Sequence, residues 1–233
     1  MLPWTSEDLT LDEDRFSGRV RMFPLPDLVM FPHVMQKLHI FEERYQEMLH
    51  DALDSDGLIA MCVLAPGWEP DYAGRPAVLP YACLGRVVAH EKAAEGRYNI
   101  LQLGLRRVRI HRELDAVRSF RQAEVELIED VRYRDADEER PSVQTALTQL
   151  FQKNLPGGGN AESVRELLAS DIPLGVLTDL ISFSMPLSFD VKAQLLAEAI
   201  VDRRAEILID ELRSFNAAAI DDGSSDSSPF SVN

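Results

Sequence analysis

Positive charge is scarce in this sequence of 233 residues. Lys and Arg number 24 against 39 Asp and Glu, a formal net charge of −15. Nucleic acids and anionic membrane surfaces are polyanions, so this balance argues against either as a general partner. Long apolar runs are also missing. No stretch approaches the roughly 18–20 apolar residues of a membrane span. Cysteine is limited to Cys62 and Cys83, each inside an apolar, strand-like run. They read as buried free thiols, and nothing points to an oxidising compartment. Glu7, Asp8, Asp12, Glu13 and Asp14 crowd the first twenty residues, which does not fit the basic and then apolar start of a secretory signal. A cytoplasmic protein is the expectation.

Catalytic signatures are missing as well. No G-x-x-x-x-G-K-[ST] phosphate loop occurs, nor any Gly-Lys pair, so P-loop nucleotide hydrolysis is excluded. There is no G-x-S-x-G elbow and no H-E-x-x-H. The five histidines are scattered and none pairs with a cysteine at zinc spacing. Asp54-Ser55-Asp56-Gly57 looks like the middle of a calcium loop, but Ala52 and Val63 stand where its end ligands belong, so it reads as a helix stop. The expectation is a non-enzyme with no cofactor and no metal.

What is present is a change of period along the chain. Residues 1–19 form an acidic, weakly periodic lead-in. Val34–Phe41 alternates, with Val34, Gln36, Leu38 and Ile40 on one face and Met35, Lys37, His39 and Phe41 on the other. Tyr45, Met48, Leu49, Ala52 and Leu53 then recur at helical spacing, which predicts a helix over Glu42–Asp54 stopped at Gly57. Leu58–Leu64 is a continuous apolar run and reads as a buried strand. A proline- and glycine-rich loop over 65–80 carries Trp68 and Tyr72. Tyr81–Glu91, Arg97–Ile110 and Ser119–Asp130 read as further strands. Residues 20–130 are therefore β-rich with one early helix, which suggests a closed or partly closed barrel.

Beyond a charged linker at 131–140 the period becomes helical. Pro141 opens one helix, Gly157-Gly158-Gly159 breaks it, and Ala161–Ala169 and Leu174–Phe183 follow. Ser188 caps a long last helix running to about Phe215. The helical region is 141–215, and 216–233 reads as a disordered tail.

Two groups of residues are candidates for contact. Trp68 and Tyr72 are large aromatics in a loop, a frequent form of binding anchor that can also fold back as a lid. Arg107 and Arg109 share a face of the one basic strand. They offer an anion site, or a solvated face paired to nearby carboxylates.

Three segments, in order, resemble a known family. The first is Met22-Phe23-Pro24-Leu25-Pro26, Val29-Met30-Phe31-Pro32 and Leu38-His39-Ile40-Phe41-Glu42-Glu43-Arg44-Tyr45. The second is Leu84-Gly85-Arg86-Val87-Val88 with Gly104-Leu105-Arg106-Arg107-Val108-Arg109-Ile110. The third is Met185-Pro186-Leu187 before the last helix. Over residues 20–213 the chain is similar to the LON domain, the N-terminal substrate-binding domain of ATP-dependent Lon proteases. It looks most like bacterial proteins made of that domain without the ATPase and protease domains. The resemblance implies an α+β fold, a PUA-like β-barrel followed by a helical bundle. It also implies contact with polypeptides or unfolded segments, as an adaptor or regulator in protein quality control beside a separate protease. An RNA-binding PUA-like protein or a small-ligand receptor are the competing expectations. Within the motifs, Phe31, Pro32, Phe41, Arg44, Gly85 and Gly104 read as scaffold, with Phe41 in the core and Arg44 holding a carboxylate or a strand-end carbonyl.

Overall fold

The β-rich region folds as six strands. They are β1 (Arg19–Leu25), β2 (Met35–Ile40), β3 (Leu58–Leu64), β4 (Val78–Lys92), β5 (Tyr98–Glu113) and β6 (Arg121–Ile128). The computed structural model describes residues 10–133, 140–154 and 172–223. Its sheet order is β2-β5-β4-β3-β1-β6, and β6 pairs back onto β5. Five strands thus close a barrel, and β2 extends its wall along the first half of β5. β1 and β3 run parallel, so the chain between them must cross over, and α1 (Glu43–Leu53) lies in that crossover.

Alternation sorts side chains across the barrel wall. Met22, Ala60, Cys62, Leu84, Val108 and Val125 belong to the cluster inside. Phe23, Ile59, Met61, Val63 and Cys83 point the other way and join α1 and the later helices in a second core. β3 is buried on both faces, which is why it reads as an unbroken apolar run. Cys62 and Cys83 fall on opposite sides of the wall and are free thiols. Burial pushes the Cys62 thiol up to about 12 and the Cys83 thiol further in the same direction, so neither forms a reactive thiolate near neutral pH.

The helical region comprises α2 (Arg140–Asn154), α3 (Leu174–Ser184), α4 (Phe189–Ala197) and α5 (Val201–Gly223) among the described residues. The fold is α+β, a barrel followed by helices. Leu147 and Phe151 of α2, Leu177 and Ile181 of α3, and Leu208 and Leu212 of α5 share the core that covers one side of the barrel.

One expected long helix from Ser188 is in fact two. Ser188 caps α4, its hydroxyl accepting the Val191 N–H at 3.3 Å. The chain then breaks because Ala199 O accepts the Val131 N–H, while the Val201 N–H donates to Val131 O, both at 2.9 Å. α5 runs past the expected limit at 215. The glycine run at 157–159, the expected helix at 161–169, residues 1–9, most of the 131–140 linker and residues 224–233 lie outside the described residues. Among the described residues no helix is long and apolar enough to cross a membrane.

Candidate functional site

β2 is the edge of the sheet, paired to β5 on one side only. An edge strand presents main-chain donors and acceptors to whatever comes beside it. Its outward row is Met35, Lys37 and His39, continued by Phe41. Met35 is 43% and Phe41 59% exposed, two of the five large hydrophobics exposed among the described residues. The expectation that Phe41 is core is therefore corrected. It keeps the phase of Lys37 and His39, and no element among the described residues covers that face. The His39 ring stacks toward Phe41 with centroids 6.1 Å apart, and its Nδ1 lies 2.8 Å from Asn99 Oδ1. Leu101 stands opposite Lys37 in the register and Ala89 opposite Leu101. Together they floor a shallow depression of about 490 Å³ across three strands.

The aromatic loop packs beside the start of α1. Trp68 and Tyr72 meet edge to face with centroids 5.5 Å apart, and both are half-buried. Tyr72 O–H donates to Glu42 Oε1 at 2.9 Å. The Arg44 guanidinium binds Glu42 at 2.8 Å and sits 4.7 Å from the Tyr45 ring centroid and 5.4 Å from that of Tyr72. Burial and the bond to Glu42 raise the Tyr72 phenol above its usual range. Arg44 holds a carboxylate, as its position in the motif implies.

The basic strand divides. Arg107 and Arg109 both point out of the barrel, opposite Val108, but helical residues cover only the first. Arg107 is 3% exposed, so its reading as a surface anion contact or a solvated cation is corrected. It grips both oxygens of Asp179 on α3, and its Nε donates to Leu196 O at 3.2 Å. Arg204 on α5 is fully buried beside it and donates to both oxygens of Asp130, at 2.7 and 2.8 Å. Two arginines and two aspartates thus join the barrel to the helices. Burial would raise the Asp130 carboxyl, but the hydrogen bonds and charge of Arg204, then the charge of Arg107, hold it below the usual carboxylate range. Arg109 is exposed and registers opposite Glu126. Arg106 pairs with Glu13 at 3.0 Å and Arg112 with Glu124 at 2.7 Å. Sequence reasoning missed Asp179 and Arg204.

The remaining motif residues are scaffold in their contacts. A Cβ on Gly104 would lie 2.1 Å from Phe31 O, and one on Gly85 would lie 2.6 Å from Gln102 Nε2. Phe31 and Pro32 are buried where the chain crosses β5. His33 follows with φ of 65°, held by a 2.8 Å bond from its N–H to Gly104 O.

The family model of the ATP-dependent protease La (LON) substrate-binding domain matches residues 19–214. Lon protease of Escherichia coli strain K12 is 28% identical over 200 residues, which are 84% of this chain and 24% of that protein. Lon protease 1 of Bdellovibrio bacteriovorus is 26% identical over 199 residues, 84% of this chain and 25% of that protein. The chain thus spans about a quarter of the length of these curated relatives. The N terminal domain of Mycobacterium avium complex Lon protease superposes with a TM-score of 0.67 at 14% identity, covering 84% of this chain and 98% of that one. A Lon N-terminal domain protein from Xanthomonas campestris gives 0.58 at 21% identity, covering 82% and 96%. These two likenesses show a shared fold.

Proposed function

From the premise that the chain belongs to the family of ATP-dependent protease La (LON) substrate-binding domains, we propose that it is a non-catalytic module that binds extended polypeptide segments. The exposed face around β2 carries this reading. An extended segment laid along β2 adds main-chain hydrogen bonds, and its alternate side chains rest on Met35 and Phe41. Such a surface suits unfolded or apolar segments, which lack the partners that folded chains supply themselves. The role is that of an adaptor or regulator in cytoplasmic protein quality control, passing bound segments to a separate protease. The RNA alternative draws on the basic strand, whose Arg106, Arg107 and Arg112 already face carboxylates.

The test is fluorescence anisotropy with a labelled, uncharged apolar peptide of about ten residues, long enough to span an edge strand. Phe41→Ser with Met35→Ser should weaken binding at least roughly tenfold, since burying one such side chain is worth about 1.5–3 kcal/mol. Both side chains are exposed, so the melting temperature should hold. Unchanged affinity in the double variant would remove the β2 face from the proposal.

A further inference from the structure

The turn between β5 and β6, the aromatic loop and the start of α1 enclose a separate pocket of about 270 Å³. Arg44, Arg75, Arg118 and Arg121 line it, over the buried rings of Tyr45 and Phe120. No carboxylate lines it. In a chain of net charge −15, four cations facing one small space are a concentration against the average.

The carboxylates that answer these arginines stand outside the lining. Glu113 holds Arg75 at 2.9 Å and takes Nε and Nη2 of Arg121. Glu42 holds Arg44, while Asp51 and Glu47 reach Arg118 at 3.3 and 3.6 Å. Burial would raise the Glu113 carboxyl, but the hydrogen bonds from Arg121 and Arg75 outweigh it and keep it ionised. The arginines are therefore anchored from one side, and Arg44, Arg75 and Arg118 keep most of their five N–H donors unused among the described residues.

Among the described residues Arg75 uses only Nη2, on Glu113 and Leu114 O. Arg44 uses Nε and Nη2 on Glu42. Arg118 makes ion-pair contacts alone. The Arg75 and Arg118 side chains are 39% and 51% exposed.

Anchored guanidinium forks with free N–H groups take a carboxylate in a bidentate grip. The geometry points to a binding site for a carboxylate of an acidic peptide, gripped by Arg75 and Arg118, with the apolar part of that residue against Tyr45 and Phe120. The volume suits one side chain or one chain terminus. A polyanion does not fit as well. The pocket's field fades within a Debye length of roughly 10 Å, beyond which the negative charge of the whole chain prevails. This inference does not depend on the β2 face.

The full-length chain is titrated with a labelled peptide carrying Glu among apolar residues and with its Gln counterpart, each with a free or an amidated C-terminus. In salt of roughly 50 mM, where screening is weak, the Glu peptide should bind about fivefold tighter than the Gln peptide. The preference should shrink as salt rises. Arg75→Gln with Arg118→Gln should abolish it while leaving the melting temperature nearly unchanged.

A preference for Glu that survives amidation assigns the carboxylate to a side chain. A preference only for the free terminus assigns it to the chain end. Equal binding of all four peptides, a preference that persists in the double variant, or binding of inorganic phosphate without either peptide would overturn the assignment. The uncharged apolar peptide separates the two sites. Its affinity follows Met35 and Phe41 and should not move in the arginine variant.

Discussion

Arg107 and Arg204 at the barrel–helix junction can be set against Arg75 and Arg118 at the pocket. All four are arginines facing carboxylates, yet they differ in burial and in how their N–H groups are used. Arg204 places Nε on Thr178 Oγ1, Nη1 on Asp130 and Glu198 O, and Nη2 on Asp130. Arg107 likewise occupies all three nitrogens. Little of either guanidinium remains for a ligand, since Arg107 is 3% and Arg204 0% exposed. Arg75 and Arg118 are exposed and only partly engaged. The first pair holds the structure together, and the second is available for binding. What separates them is the number of donors left unused, since both pairs are equally charged.

The sharpest way to break this comparison is Asp179→Asn. Asp179 is fully buried, and its loss as an anion leaves Arg107 without its main counter-charge. Removing one partner of a buried pair costs about 3–5 kcal/mol, read as a lower midpoint in chemical denaturation. Arg107→Met combined with Asp179→Leu should recover most of that loss, because an apolar pair of similar volume does not strand a charge. If Asp179→Asn is silent, the junction is not the joint described here.

Acid provides a gentler test of the same joint. The Asp130 carboxyl is held below its unfolded value by Arg204 and Arg107. A depressed folded value means its contribution is complete above the unfolded value of about 4. It is lost as pH falls below that and through the folded value. The melting temperature of the wild type should therefore exceed that of Asp130→Asn near neutral pH, and the gap should close in acid. The effect should be smaller than that of Asp179→Asn, since Asp130 is partly exposed and screened.

Much of the β region was legible because it follows from period and punctuation. α1 fills Glu43–Leu53 against the expected Glu42–Asp54, and Gly57 has φ of 70° where a left-handed stop was expected. β3 is buried as its unbroken apolar run requires. Coverage was harder to read. Parity put Arg107 and Arg109 on one face, but which of them a distant helix covers depends on tertiary packing. A signal for the junction did exist. Asp179 is the one charged residue in the otherwise uncharged run of α3, and a buried charge needs a partner. The break between α4 and α5 depends on Val131, far away in sequence, so no local pattern announces it. The arginine pocket was hidden for the same reason. Its lining comes from α1, the aromatic loop, the β5–β6 turn and β6, and only Arg44 of the four carried a motif.

The finest distinction lies inside the pocket itself, between two arginines that line the same space. Arg121 is buried with all three nitrogens engaged, Nε and Nη2 on Glu113 and Nη1 donating to Pro76 O at 2.8 Å. Arg118 is half exposed and held only by ion pairs among the described residues, to Asp51 at 3.3 Å and Glu47 at 3.6 Å. If unused donors decide the role, the two should part company despite their shared address. Arg121→Gln should destabilise the fold by about 1–3 kcal/mol, because it leaves Pro76 O and part of Glu113 without a donor. Arg118→Gln should shift stability by no more than about 0.5 kcal/mol, as for other exposed ion pairs, while still weakening the acidic peptide. Denaturation midpoints for the two variants, measured beside their peptide affinities, decide the matter. Equal destabilisation would mean that position in the pocket, and not the count of free donors, sets what an arginine does here.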